Sequence, residues 1–324
     1  MFFPSRVHSL KSLSLSIVTI VFTSLLLAIL VSFPVLAQSQ ENDPAIMPRQ
    51  GPPMDGPQAG IDLQGFHLFN AHLENDQGKV SVTQARADAS WSRFTLGWHS
   101  NWYSWQDNAM LPFGDGRSDP WNSLHVLTLM ANHRDRLSPR WSYFIQGAIR
   151  SGFETELSRS VGLAANAGLV YAWNPDWTVG IGGFIGVDPT SKFAFSSTFA
   201  MGGPFIQYRH PRAPGISGRL AFPQSELRYT GSPFWSTWLG LGVNSDTYRL
   251  ADNSPVMPRG YLRERMTTAG LYLDVTPTPG MLLRLGPTYN FSRRMEFFDS
   301  SGGKRRSHEL DATLGVEAKI SWSF

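Results

Sequence analysis

From residue 310 to the carboxy terminus the chain alternates. Leu310, Ala312, Leu314, Val316, Ala318, Ile320, Trp322 and Phe324 are apolar, and Asp311, Thr313, Gly315, Glu317, Lys319, Ser321 and Ser323 between them are polar or small. Period two belongs to an extended strand with one row of side chains on each face. Strands of soluble sheets average about 5 to 6 residues, whereas a membrane-spanning strand needs about 9 to 11. The length of this run predicts a strand whose apolar row faces hydrocarbon.

The pattern recurs upstream. Trp141, Tyr143, Ile145, Gly147 and Ile149 oppose Ser142, Phe144, Gln146, Ala148 and Arg150, and Val161, Leu163, Ala165, Ala167, Leu169, Tyr171 and Trp173 oppose Gly162, Ala164, Asn166 and Gly168. Trp177, Val179, Ile181, Ile185 and Val187 resume it after the turn Asn174-Pro175-Asp176. Met281, Leu283, Leu285, Pro287, Tyr289 and Phe291 oppose Arg284, Gly286, Thr288 and Asn290. One apolar face and one small or polar face predict an all-β fold, a transmembrane antiparallel β-barrel. Short connections near Ser92, Ser138-Pro139, Asn174-Pro175, 211–215, 230–233 and 276–280 alternate with longer polar ones. With both termini on the short-turn side, this parity gives about fourteen strands if a tight outer turn lies at Phe222 to Gln224, and twelve if the weakly patterned stretches 62–78 and 215–230 are left out. Trp91, Trp141, Trp173, Trp177, Trp235 and Trp322 flank turns, as an interfacial aromatic girdle requires. A secreted soluble β-sandwich with buried Trp is the alternative.

Here the chain resembles Gram-negative outer-membrane β-barrel proteins, whose last strand ends in Phe with aromatic or aliphatic residues at alternate positions before it. Phe324, Trp322, Ile320, Ala318 and Val316 fill those places. The resemblance implies that these five residues are the assembly signal read by the barrel-assembly machinery, and it places the chain in the outer membrane. The stretch around Phe222 and Pro223, with Glu226 to Tyr229 after it, is also similar to barrel families of unknown function, over about residues 180–324.

The amino-terminal region reads as targeting. Arg6 and Lys11 precede an apolar stretch from Leu13 to Phe33, Pro34 breaks it, and Val35-Leu36-Ala37 offers small residues before a cleavage point. Residues 1–37 are expected to be a signal peptide, with an uncleaved anchor as the competing reading of so long an apolar run. Residues 38–60, rich in Pro and Gly, read as a periplasmic linker, and 61–324 as the barrel.

Composition narrows the function. Charged residues make up 16% of the chain, below the roughly 25% of a soluble domain. The absence of Cys excludes disulfides, Cys-ligated metals and a thiol nucleophile. Removing Arg6 and Lys11 with the leader leaves 26 of 28 basic residues against 25 acidic ones, so no nucleic-acid partner is expected. The expected partners are outer-membrane lipid and lipopolysaccharide. No cofactor is expected.

His99-Ser100-Asn101 resembles in part the His-x-Ser-Asn stretch of outer-membrane lipid hydrolases. Period two, however, sends His99 and Asn101 inward with Tyr103 and Ser100 outward, so base and nucleophile point apart and no catalytic centre is assigned. Gly180 to Gly186 has a dinucleotide-loop look but no following helix. Asp115 and Asp119 lie in an outer loop without the remaining oxygens of a Ca²⁺ loop. Lys304-Arg305-Arg306 falls in the last outer loop, where it suits lipopolysaccharide phosphates. The alternation assigns His99, Tyr103, Gln146, Arg150, Asn166, Asp188, Asn244, Asp246, Glu264, Arg284, Asn290, Asp311, Glu317 and Lys319 to the lumen. Such groups either set the selectivity of a watery path or pair with one another in a closed interior. The functional reading is a passive channel for small solutes, then a structural or surface-interaction barrel with a filled lumen, and last a lipid-modifying enzyme.

Overall fold

A computed structural model describes residues 59–190, 199–210 and 212–324 of the chain; the leader and all but the end of the linker lie outside them. The strands are β1 (Ala59–His72), β2 (Lys79–Trp91), β3 (Phe94–Gln106), β4 (Ser123–Arg136), β5 (Trp141–Phe153), β6 (Val161–Ala172), β7 (Trp177–Val187) and β8 (Phe199–Arg209). They continue with β9 (Gly215–Leu220), β10 (Gln224–Ser232), β11 (Trp235–Arg249), β12 (Tyr261–Val275), β13 (Met281–Phe298), β14 (Lys304–Leu310) and β15 (Thr313–Ser323). Each pairs with its successor from β1 to β13, and β1 closes the ring on β15. The first half of β13 pairs with β15 and its second half with β14. These two are therefore one stave, and the barrel has fourteen staves among the described residues. β1 begins at Ala59, just inside the stretch read as linker.

The break in the last stave corrects the sequence reading. Leu310 is 6% exposed and lies inside with the core, not on the apolar outer row with Leu314. The interruption at Asp311 and Ala312 shifts the phase, so even positions from Arg306 to Leu310 face inward in β14 and odd ones in β15.

Tight hairpins at 91–94, 172–177 and 232–235 share the lower end with the termini, where Ala59 N–H donates to Phe324 O at 3.1 Å and Phe324 N–H to Ala59 O at 3.0 Å. The tight outer turn expected near Phe222 is there, joining β9 to β10 through 221–223. Outward side chains form an apolar belt that includes Leu63, Leu96, Leu129, Ile149, Leu163, Ile181, Leu239, Leu271, Leu285 and Leu314, all exposed. Exposed Trp91, Trp141, Trp173, Trp177, Trp235 and Trp322 ring its lower edge. So large an exposed apolar band has only lipid to cover it, and closing the ring is how successive strands satisfy one another's backbone groups there.

Inward glycines are covered by inward aromatic rings. A Cβ on Gly240 would meet Trp238, one on Gly270 would meet Tyr272, and one on Gly168 would meet Phe144, each within 2.5 Å. The rings lie flat across the glycines and fill the lumen wall.

The upper half narrows. β10 follows β11 only to Gly242; beyond it β11 crosses to β5, where Arg249 pairs in parallel with Phe153 and Glu154 N–H donates to Arg249 O at 2.9 Å. Gly152 permits the approach, since a Cβ there would sit 2.1 Å from Thr247 O. An upper ring thus forms from β11 to β14 and β1 to β5, joined at the other seam by the Leu73–Leu310 bridge. Leu68, Val80, Leu124, Leu262, Met295 and Phe297 fill it, each 2% exposed or less. The outer loop after β3 folds inward to add Phe113 and Trp121, stacked with ring centroids 5.8 Å apart. Each such buried side chain contributes about 1.5 to 3 kcal/mol.

Candidate functional site

The site is the lumen, and its lower half carries paired charge. Inward alternation on β12 places Asp274, 2% exposed, where three strands deliver donors. Arg284 donates to it through Nε at 2.8 Å and Nη2 at 3.0 Å, Arg228 through Nη1 at 2.9 Å, and Trp238 through Nε1 at 3.1 Å. The Arg284 guanidinium lies 4.5 Å from the Trp238 ring centroid, and Trp238 stacks on Tyr272 at 4.3 Å. Tyr272 Oη donates to Glu317 at 3.1 Å, and Lys319 Nζ lies 3.3 Å from Asp62. Two cations on one carboxylate hold β10, β12 and β13 in fixed relation.

At mid-height a second network spans the lumen. Arg150 on β5 pairs with Asp246 on β11, beside the crossing of those strands. Asn101 Nδ2 donates to Tyr248 Oη at 2.9 Å, Gln84 Nε2 lies 2.7 Å from His99 Nε2, and Gln84 Nε2 also donates to Asn101 at 2.8 Å. Tyr103 Oη donates to Glu264 at 2.8 Å, and Arg293 pairs with the same carboxylate. Between Gln84, Asn101, Asn244, Asp246, Glu264 and Arg293 lies a cavity of about 40 Å³, room enough for water. The network is the floor of the dry upper core. Below and beside it the wall is wetter: the Arg86 side chain is 52% exposed and that of Arg150 39%.

Most of the residues assigned to the lumen lie on inward rows. His99, Tyr103, Arg150, Asn244, Asp246, Glu264, Arg284, Glu317 and Lys319 do so in the networks just described. Gln146 is inward beside Met130, Asn166 stands on the inward row of β6, and Asn290 bonds Thr268 at 2.6 Å. Two are corrected. Asp188 follows the end of β7 and pairs with Arg263, an outward residue of β12, so it sits on the outside of the upper ring. Asp311 falls in the break of the last stave, exposed, its N–H on His72 O at 2.8 Å. In both cases the strand had ended or lost phase where the alternation was extended.

Ser100 does face away from His99. It meets instead His125, which the sequence reading did not consider, with Oγ 2.5 Å from Nδ1. The other ring nitrogen lies 3.2 Å from Ser123 Oγ, a hydroxyl where a catalytic dyad would have a carboxylate, and Ser100 is 0% exposed. The Asp115 carboxylate is taken up by its own loop, through Ser118 and Arg117 N–H groups at 2.9 Å. Lys304 pairs with Glu296 and Arg305 with Asp299. No group of three or more His, Asp or Glu among the described residues is placed to hold a metal ion.

A closed antiparallel barrel with a lipid-facing apolar belt and a polar interior is the architecture of an outer-membrane barrel. No protein-family model and no curated protein sequence matches the chain. Among solved structures, an outer membrane channel from Pseudomonas putida F1 is similar at 14% identity, covering 88% of this chain and 100% of that one, with a TM-score of 0.43. A Pseudomonas aeruginosa FadL homologue matches at 9% identity over 83% and 90% of the two chains, with a TM-score of 0.36. The Pseudomonas putida toluene transporter TodX matches at 10% identity over 83% and 89%, with a TM-score of 0.33. Strand pairing, not these distant likenesses, defines the barrel.

Proposed function

We propose that the chain is a passive outer-membrane channel for small solutes, with its lower end towards the periplasm. The observation that carries this is the accessible inward face of the lower ring: Arg86 and Arg150 are inward by register yet substantially exposed, and the inward Gly203 has nothing within 4 Å of where a Cβ would stand. A filled interior leaves neither. Planar-bilayer recording of the refolded protein tests the reading. Ionic conductance is expected, and its absence overturns it. A second reading, a structural barrel with a closed lumen, is favoured by the dry upper core around Trp105, Trp121 and Phe297, which fills the upper ring. Zero conductance is the result that reading requires.

The partners follow from the outer surface. Val316, Ala318, Ile320, Trp322 and Phe324 are inferred to be the assembly signal, supported by the exposure of Val316, Trp322 and Phe324 on one row. Deleting Phe324 is expected to cut the yield of heat-modifiable folded barrel far more than deleting Met1 to Phe3; equal yields refute it. Arg263, which also pairs with Asp188, and Arg265 and Lys304 surround the carboxylate of Glu296 above the apolar belt. With Arg305 they are inferred to meet lipopolysaccharide phosphates, which Ala substitutions at Arg265 and Lys304 should weaken in co-purified lipid; Arg306, opposite inward Phe297, is turned away from them.

A further inference from the structure

The barrel wall changes at β8. Ile206 to Arg209 pair with β9, and above them no described strand pairs with this edge of β8. Across the interval, β9 and β10 end at the turn through Phe222 and Pro223, and β11 has left for β5. A groove of about 730 Å³ opens here on the outer surface. Leu169, Ile181, Ile206, Leu220 and Phe222 make it apolar, with Trp141 from the lower aromatic girdle at its rim. These residues belong on the outer row.

Gly180 and Phe205 do not, yet they also line the groove. They pair with each other and alternate with outward Val179, Ile181, Pro204 and Ile206, so register puts both on the inward row. The Phe205 ring lies over Gly180, and the guanidinium of Arg219, inward on β9, stands 5.6 Å from its centroid. The groove thus reaches from the outer surface to two residues of the inward row, with the buried Phe205 ring at its inner end. An open strand edge in hydrocarbon leaves peptide groups unsatisfied, and such backbone is tolerated where it lines a cavity. The edge of β8 is suited to this place, since Pro204 has no N–H to satisfy and Gly202 and Gly203 carry no side chains.

We propose that the interval between β8 and the β9–β10 hairpin is a side opening through which small apolar solutes pass between the lower lumen and the membrane hydrocarbon. The upper core fills the upper ring on the side of β1 to β4, and the apolar lining suits solutes that partition into lipid. Passage rests on the channel reading; the opening itself does not.

The chain has no Cys, so an introduced one is unique. Phe205→Cys, Gly203→Cys, Ile181→Cys and Ala164→Cys are each labelled with bimane and refolded into vesicles containing lipid spin-labelled on its acyl chain. Ile181 is the outward control and Ala164 the inward control in unbroken wall. The loss of fluorescence at 205 and 203 is expected to match that at 181 and exceed that at 164. Because Gly203→Cys keeps the Phe205 ring, quenching at both sites excludes an opening made by the substitution itself. Losses equal to that at 164 overturn the opening. For passage, Leu220→Trp, on the outer rim of the groove, is expected to lower naphthalene accumulation by cells carrying the barrel while leaving lumen ionic conductance unchanged; unaltered accumulation overturns it. Absence of wild-type conductance counts against the channel reading alone, whereas quenching at 205 and 203 decides the opening.

Discussion

Replacing Asp274 with Asn probes a buried electrostatic joint in the lower lumen. The carboxylate receives Arg284 twice, at 2.8 and 3.0 Å, Arg228 at 2.9 Å and Trp238 at 3.1 Å. The side chains of Asp274, Arg228 and Arg284 are 2%, 4% and 12% exposed, so solvent has little part in screening them. An amide offers one acceptor oxygen and no charge, so two buried guanidiniums lose the anion they share. Removing one member of a buried pair costs about 3 to 5 kcal/mol, and with two cations dependent on one anion the upper end of that range is expected. Denaturant titration of the barrel refolded into lipid vesicles measures the loss, with heat-modifiable gel mobility marking the folded fraction. Adding Arg228→Met to Asp274→Asn removes one of the two cations and should restore part of the loss. A loss below about 1 kcal/mol, the scale of an exposed pair, would mean that water already solvates the cluster and that it is no joint.

Glu317 makes the contrasting case: its partner is the Tyr272 hydroxyl at 3.1 Å, which Gln also accepts, so Glu317→Gln should leave folding nearly unchanged and shift reversal potentials towards anions; an unchanged permeability ratio refutes its place on the solute path. Arg at Leu285 or Leu239, both exposed in the apolar belt, should cost about 2 to 4 kcal/mol near the bilayer midplane, and costs near zero at both would refute the lipid-facing assignment. Gly152→Leu should push β5 from β11, because even a Cβ would lie 2.1 Å from Thr247 O; conductance is expected to rise, and unchanged currents with normal folding would show that the crossing does not limit passage. In the last outer loop, hydrogen bonds from Ser301 and Gly303 and the Arg305 guanidinium hold the Asp299 carboxyl well below the usual range. A depressed folded pKa means the contribution is complete above the unfolded value of about 3.9 and is lost only as pH falls towards the folded one, so amide exchange at Gly303 should stay slow through about pH 4; loosening above that pH would refute it.

How much of this was legible in the chain depends on which interactions set each feature. Period two gave the belt, the girdle and the inward rows, because facing is a local consequence of extended backbone. It failed at Leu310 and Asp311, where the alternation of residue types runs on through a stave that the backbone interrupts, and at Asp188, where polarity continued after the strand had ended. Arg228 was missed because β10 is weakly patterned, and Asp274 because the inward row that holds Glu264 was not followed to the lower end of β12. Its row, Leu271, Leu273 and Val275 against Tyr272 and Asp274, was there to be read. Ser100 was seen to face outward, but its partner His125 is a neighbour only through the β3–β4 register.

The narrowing of the upper ring has a different origin. Nothing in the alternation of β5 or β11 distinguishes a strand that stays beside its sequence neighbour from one that crosses to another. What permits the crossing is one absent side chain, at Gly152, together with a β9–β10 hairpin too short to accompany β11 upward. The six residues of β9 and nine of β10 lie beside the fifteen of β11, so the upper part of β11 must find another partner or leave its peptide groups bare in a membrane that cannot solvate them. Pairing of Arg249 with Phe153 on β5 meets that demand at the top of β11, and the same shortfall leaves the edge of β8 without a described partner at the other side. The closed upper core and the gap in the wall are thus two results of one short hairpin. Lengthening β9 and β10 by matched inserts on either side of Phe222 should release both together: β11 returns to β10, the upper ring widens, and lipid quenching at Phe205 falls. If quenching falls while the upper ring keeps its protease resistance and conductance, the two features have separate causes and this linkage is wrong.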